Sequence, residues 1–165
     1  MAAAFDSGFA RPGLETRDGY VTHRTVVVTF GVPRTAKILV HELTHAEMAT
    51  YTPYDTLPTW FNEGAAAMVA GEPRCPPGLP AAVDDLRRVE TKATWQAHLA
   101  ATDATRELYC QSRHELERWA KPLGGRRAVG DALVRVMRGV ADGTPFDLLY
   151  ATPADPAAYA SGAAL

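Results

Sequence analysis

His41, Glu42 and His45 stand together in the run HELTH, and Glu63 follows in the run WFNEGAAAMV. Residues four apart on a helix share one face, about one turn from each other. On a helix, His41 and His45 can therefore aim two imidazoles at a single point. Neutral imidazole nitrogen is a good zinc ligand, and zinc favours a tetrahedral arrangement. Two ligands from one helix make half a site. Glu42 is rotated about a quarter turn from His41. Its carboxylate can reach a water at the metal without ligating the metal itself, which is the general-base position of the H-E-x-x-H pattern.

A catalytic zinc takes three protein ligands and leaves one position open. A third histidine six residues after His45 would give the metzincin spacing, but the residue there is Tyr51, and Met48 stands three after His45. The downstream acids are Glu47, Asp55, Glu63, Glu72 and later ones. Glu47 lies two residues beyond His45 and faces away from it. Asp55 falls in a loop with nothing to anchor it. Glu63 fits best, near the start of a second helix and after a loop long enough to reverse the chain. Gly64, Ala65, Ala66 and Ala67 follow it. Small side chains let two helix backbones approach closely, as a short carboxylate needs if it is to reach a metal held by the other helix. Trp60, Phe61 and Met68 can pack around it.

The elements that must position these residues are legible from turn and cap signals. YVTHRTVVVTF, residues 20–30, is rich in β-branched and aromatic residues and predicts a strand ending at Gly31 and Pro33. Thr35 can cap a helix running to about Ala49. YTPYDTLP, residues 51–58, reads as a turn-rich loop, and Pro58 with Thr59 opens a second helix over 59–70 that stops at Gly71 and Pro73. Further helices are expected over 81–100, with a break near Thr91–Thr94, over 103–121, and over 126–139. In the last, Val129, Leu133, Val136 and Met137 form one stripe. Residues 1–150 read as a single domain, and 151–165 as a flexible tail. The expected fold class is α+β and predominantly helical, with a short β-containing N-terminal part.

At 165 residues the chain can bury one core. A net charge of -2 gives no reason to expect nucleic acid as a partner. No apolar run reaches the roughly 18 residues that a membrane span needs. The first residues lack the pattern of a secretory leader, which leans the expected location towards the cytoplasm. The two cysteines, Cys75 and Cys110, can form one bridge or stay as two buried thiols.

HELTH followed by LPTWFNEGAA resembles the gluzincin metallopeptidases, and most closely the small bacterial peptidase MA-like proteins. WFNEGAA is also similar to the aminopeptidase N type of gluzincin. The closer likeness covers about residues 36–72, and a looser one continues through ELYCQSRHELERWAKPLGG and ALVRVMRGVADGTPFDLLY. The resemblance implies zinc held by His41, His45 and Glu63, with Glu42 as base, in a cleft between a β-containing upper part and a helical lower part. It places Tyr109 on a helix beside the site, as candidate donor to the developing oxyanion, with His114 as the alternative. The N-terminal part is shorter than in fuller relatives, and no GxMEN exopeptidase motif is present.

The function expected is a zinc-dependent peptidase acting on a peptide or protein substrate. The competing reading is a catalytically inactive binding or regulatory module with the same fold, and a narrower one is hydrolysis of a non-peptide amide. A zinc-bound histidine donates its other N–H to an acceptor, for which Asp84, Asp85, Asp103 and Glu107 are candidates. His23 and His98 read as surface or edge positions, and Trp95 and Trp119 as core.

Overall fold

The computed structural model describes residues 15–17, 20–23, 35–72, 75–76, 83–102 and 104–151. Two short strands, β1 (Glu15–Arg17) and β2 (Tyr20–His23), pair antiparallel, with Thr16 opposite Val21 and Arg17 opposite Tyr20. From Thr35 onwards every regular element among the described residues is helical. These are α1 (Thr35–Met48), α2 (Thr59–Val69), α3 (Lys92–Thr102), α4 (Thr105–Ala120), α5 (Arg126–Ala141) and α6 (Phe146–Ala151). Short 3₁₀ turns occupy Tyr54–Thr56, Leu86–Val89 and Lys121–Leu123.

The α+β expectation is therefore corrected to a helical fold. A hairpin of three and four residues cannot form a layer of a core, and the described core is helix packed on helix. Of the strand expected over 20–30, Tyr20–His23 is paired, and residues 24–30 lie outside the described set. The 151–165 tail expectation also falls outside it, apart from Ala151 at the end of α6. No described helix is long and apolar enough to cross a membrane.

Helix α2 is the centre of the fold. Every residue from Thr59 to Ala67 is buried, so its small residues set how closely its neighbours approach. Gly64 packs on α4: a Cβ there would lie 2.6 Å from the Ser112 carbonyl oxygen. Gly64 thus lets α4 approach α2 closely, while Glu63 beside it meets His41 and His45 of α1. On the other side Trp60 and Phe61 join Trp119, Phe146 and Tyr150 in an aromatic cluster with ring centroids 5.1–6.4 Å apart. Trp119 Nε1 donates to the Tyr150 carbonyl at 2.9 Å, which fastens α6 to α4.

The break expected near Thr91–Thr94 has a defined cause. Thr94 N donates to Thr91 Oγ1 and Thr91 N to Thr94 Oγ1, both at 3.1 Å. This reciprocal cap starts α3 at Lys92 and separates it from the preceding 3₁₀ turn. Trp95 is the buried residue of α3, and Trp119 is buried in α4, as expected for core.

Cys75 and Cys110 form a disulfide, with Cα atoms 5.2 Å apart. Disulfides persist in oxidising surroundings, which weighs against the cytoplasmic expectation.

Candidate metal centre

Helix α1 buries three ionisable side chains beside Ala46 and Met48, and leaves two large apolar ones exposed. His41, Glu42 and His45 are 7%, 8% and 6% exposed, while Val40 and Leu43 are 40% and 49% exposed. Hydrophobic burial alone does not account for three ionisable side chains turned inward. Burying three ionisable side chains is costly unless they are paired or hold a metal, so the inward face of α1 is organised by chemistry.

α2 supplies the third group. Glu63 Oε2 lies 3.2 Å from His41 Nε2 and 3.3 Å from His45 Nε2, and the two imidazole nitrogens are 3.0 Å apart. The three donor atoms form a compact triangle of buried groups that could hold a metal ion. Glu42 is buried too, and its charge acts on both tyrosines that border the site, Tyr54 and Tyr109.

The end of α2 adds a second carboxylate. Gly71 takes φ +63, its N–H reaches the Met68 carbonyl, and Glu72 N–H reaches the Ala67 carbonyl. This pair of bonds is the Schellman arrangement, with a left-handed glycine just beyond the helix. It turns the chain so that Glu72 Oε1 accepts from His41 Nδ1 at 2.7 Å. Lys37 Nζ holds the turn from α1 by donating to the Gly71 carbonyl at 2.9 Å. With Nδ1 carrying the proton, the Nε2 lone pair of a neutral His41 faces the triangle. Glu72 therefore fills the role for which Asp84, Asp85, Asp103 and Glu107 were candidates. Asp85 instead caps the 86–89 turn through Arg87 N, Asp84 is exposed beside Arg88, Glu107 sits in the first turn of α4, and Asp103 lies outside the described residues. His45 Nδ1 is buried and has no hydrogen-bond partner among the described residues.

Two tyrosines border the triangle. Tyr109, on α4, has its ring centroid 6.2 Å from that of His41 and is backed by Trp95 at 5.4 Å. Burial, followed by the charges of Glu63, Glu42 and Glu72, pushes its pKa well above the usual tyrosine value. Tyr54 was not anticipated. Its hydroxyl donates to Glu63 Oε1 at 2.9 Å, and its ring meets His45 edge-on at 5.5 Å. Burial, then the Glu63 charge and hydrogen bond, pushes the Tyr54 pKa up as well. Both phenols stay protonated as donors.

The disulfide ties this surround together, since Cys75 follows Glu72 by three residues and Cys110 adjoins Tyr109. His114, the alternative to Tyr109, is exposed on α4 and lines a separate groove with Asp84, Asp85 and Glu115. Asp55 is exposed and Glu47 points outward, as expected. His98 is half-buried on α3, and the side chain of His23 lies outside the described residues.

Burial works against charge on His41, but its hydrogen bonds to Glu63 and Glu72 and their charges outweigh it and raise its pKa to about 10. Burial also works against the Glu63 carboxylate, yet hydrogen bonds and charge from His41 and His45 hold it well below the usual carboxylate range. In the metal-free protein the raised His41 pKa contributes stability that is full below about 6.5 and is lost as pH rises through about 10. A metal ion needs the neutral imidazole and must displace that proton. Metal affinity is therefore expected to climb with pH above neutrality, with a proton released on binding. Calorimetric titration in buffers of different ionisation enthalpy checks this; an affinity flat over the same range would contradict a protonated His41.

Comparison of the chain with protein families, curated proteins and solved structures found no match.

Proposed function

We propose that the protein is a zinc-dependent peptidase, with His41, His45 and Glu63 as ligands and Glu42 as general base. The observation that carries this reading is the donor triangle. A tetrahedral zinc with bonds of about 2.0–2.1 Å has edges of about 3.3 Å between its ligand atoms. The three observed edges, 3.0, 3.2 and 3.3 Å, fall within about 0.3 Å of that value. Two nitrogens and one carboxylate oxygen are the donor set of a catalytic zinc with a position left open, whereas structural sites fill all four positions with Cys and His. The chain's two cysteines are bridged to each other, leaving no thiolate to complete a structural site.

Zinc held there would supply Lewis acidity, lowering the pKa of a water towards 7 and polarising a scissile carbonyl. Glu42 accepts the proton of the attacking water and returns it to the leaving amine. Tyr109, backed by Trp95, offers its O–H to the oxygen that gains charge. Glu72 keeps the His41 proton on Nδ1. The likeness of HELTH and WFNEGAA to gluzincins supports the same assignment. A groove of about 740 Å³, lined by Tyr54, Leu57, Pro58, Gln96 and Phe146 among others, adjoins the loop that touches Glu63, but none of His41, Glu42, His45, Glu63 or Tyr109 lines it.

The test is Glu42→Gln assayed on a peptide library with zinc-loaded protein. Loss of the general base is expected to lower hydrolysis roughly 100- to 10,000-fold, with zinc content and helical signal unchanged. Undiminished cleavage by the variant would remove Glu42 from the mechanism. A parent chain that binds zinc but cleaves no peptide would favour the binding module or a non-peptide amide substrate.

A further inference from the structure

We infer that Tyr54 is a positioning residue that fixes Glu63 as a one-oxygen metal ligand and so keeps a coordination position free. This rests on the metal-centre reading above. The two oxygens of Glu63 are held differently: Oε2 faces His41 Nε2 and His45 Nε2 at 3.2 and 3.3 Å, while Oε1 accepts from Tyr54 Oη at 2.9 Å, and the Tyr109 hydroxyl also bonds to this carboxylate. A carboxylate left to itself can turn both oxygens to a cation. One whose second oxygen already accepts an O–H must give up that bond to do so.

The loop is built to keep the hydroxyl where it is. Asn62, 1% exposed and adjacent to Glu63 on α2, donates through Nδ2 to the Tyr54 carbonyl at 3.1 Å. The same turn of α2 therefore presents the ligand and anchors the residue that orients it. Thr52 and Thr56 join hydroxyls at 2.7 Å, and Thr56 Oγ1 also donates to the Pro53 carbonyl at 2.6 Å, which closes the 52–56 turn. The Tyr54 ring against His45 fixes the remaining rotation. Connecting α1 to α2 would require none of these contacts to converge on Glu63.

The experiment uses cobalt(II) as a spectroscopic probe in the full chain and in Tyr54→Phe, which keeps the ring and loses only the O–H. Both are expected to bind about one cobalt per chain. The visible bands of the variant should lose intensity relative to the parent, as the freed oxygen joins the metal and coordination rises. Asn62→Ala, which keeps the hydroxyl but releases the loop, should shift the spectrum in the same direction. If Tyr54→Phe loses its helical signal, the Asn62→Ala spectrum decides in the same way. Superimposable spectra at equal cobalt occupancy would overturn the role of Tyr54 and leave the metal centre standing. A parent chain that takes up no cobalt would overturn both.

Discussion

Replacing Glu63 by Ala is expected to abolish stoichiometric metal binding while the helices stay folded. Glu63 supplies the only carboxylate in the described donor triangle, and its oxygen is within 3.3 Å of both imidazole nitrogens. Loss of a partner that merely orients a ligand costs roughly 10–100-fold in metal affinity, so loss of a ligand should cost more. Glu72→Ala is the built-in comparison, because Glu72 touches His41 only at Nδ1. Competition titration against a chelator should rank the parent tightest, Glu72→Ala weaker and Glu63→Ala weakest. Equal affinities for Glu63→Ala and the parent would place the metal elsewhere. In the metal-free chain the loss of Glu63 still leaves His41 hydrogen-bonded to Glu72, which is why the fold should survive.

Gly64→Ala is expected to lower stability, although it adds only a single methyl and improves helix propensity. The new Cβ would meet the Ser112 carbonyl oxygen at 2.6 Å, its carbon at 2.9 Å and Leu116 Cδ2 at 3.0 Å. The first two are backbone atoms inside α4 and cannot rotate away, and Leu116 is itself fully buried. Overpacking of this kind costs about 1–3 kcal/mol. The better helix propensity of Ala returns at most about 1 kcal/mol. The net effect should lower the melting temperature by roughly 2–4 °C for each kcal/mol lost. Because Glu63 precedes Gly64, the shift of α2 away from α4 should also weaken metal binding. A variant that melts with the parent would mean that α2 and α4 are not in the close contact described. Gly130, where an added Cβ meets nothing within 4 Å, serves as the control substitution.

Much of the site could be read from spacing because helices impose a period. His41 and His45 meet because they are one turn apart, and Glu63 could be chosen because a reversing loop precedes it and small residues follow. What spacing alone did not reveal depends on where irregular backbone goes. Glu72 was weighed only as a metal ligand, yet Gly71 carried the signal for its actual place. A glycine just past a helix implies a Schellman turn, and that turn fixes the direction of the residue after it. Tyr54 gave no comparable sign, since its reach to Glu63 depends on the Asn62 bond and on the closure of the 52–56 turn. The small residues after Glu63 were read as serving the approach of α1, and Gly64 shows that α4 approaches α2 closely as well. Buried area on α2 runs all the way round, so sequence could not say which helix lies against which side. The α+β expectation failed because β-branched residues report a preference for extended backbone, whereas the described strands are only three and four residues long.

The most direct test of the metal centre is diffraction at the zinc absorption edge from crystals of zinc-loaded protein. One anomalous peak is expected about 2.0–2.2 Å from His41 Nε2, His45 Nε2 and Glu63 Oε2, with Glu72 still bonded to His41 Nδ1. A peak at any other set of residues, or none at full zinc loading, would contradict the metal centre.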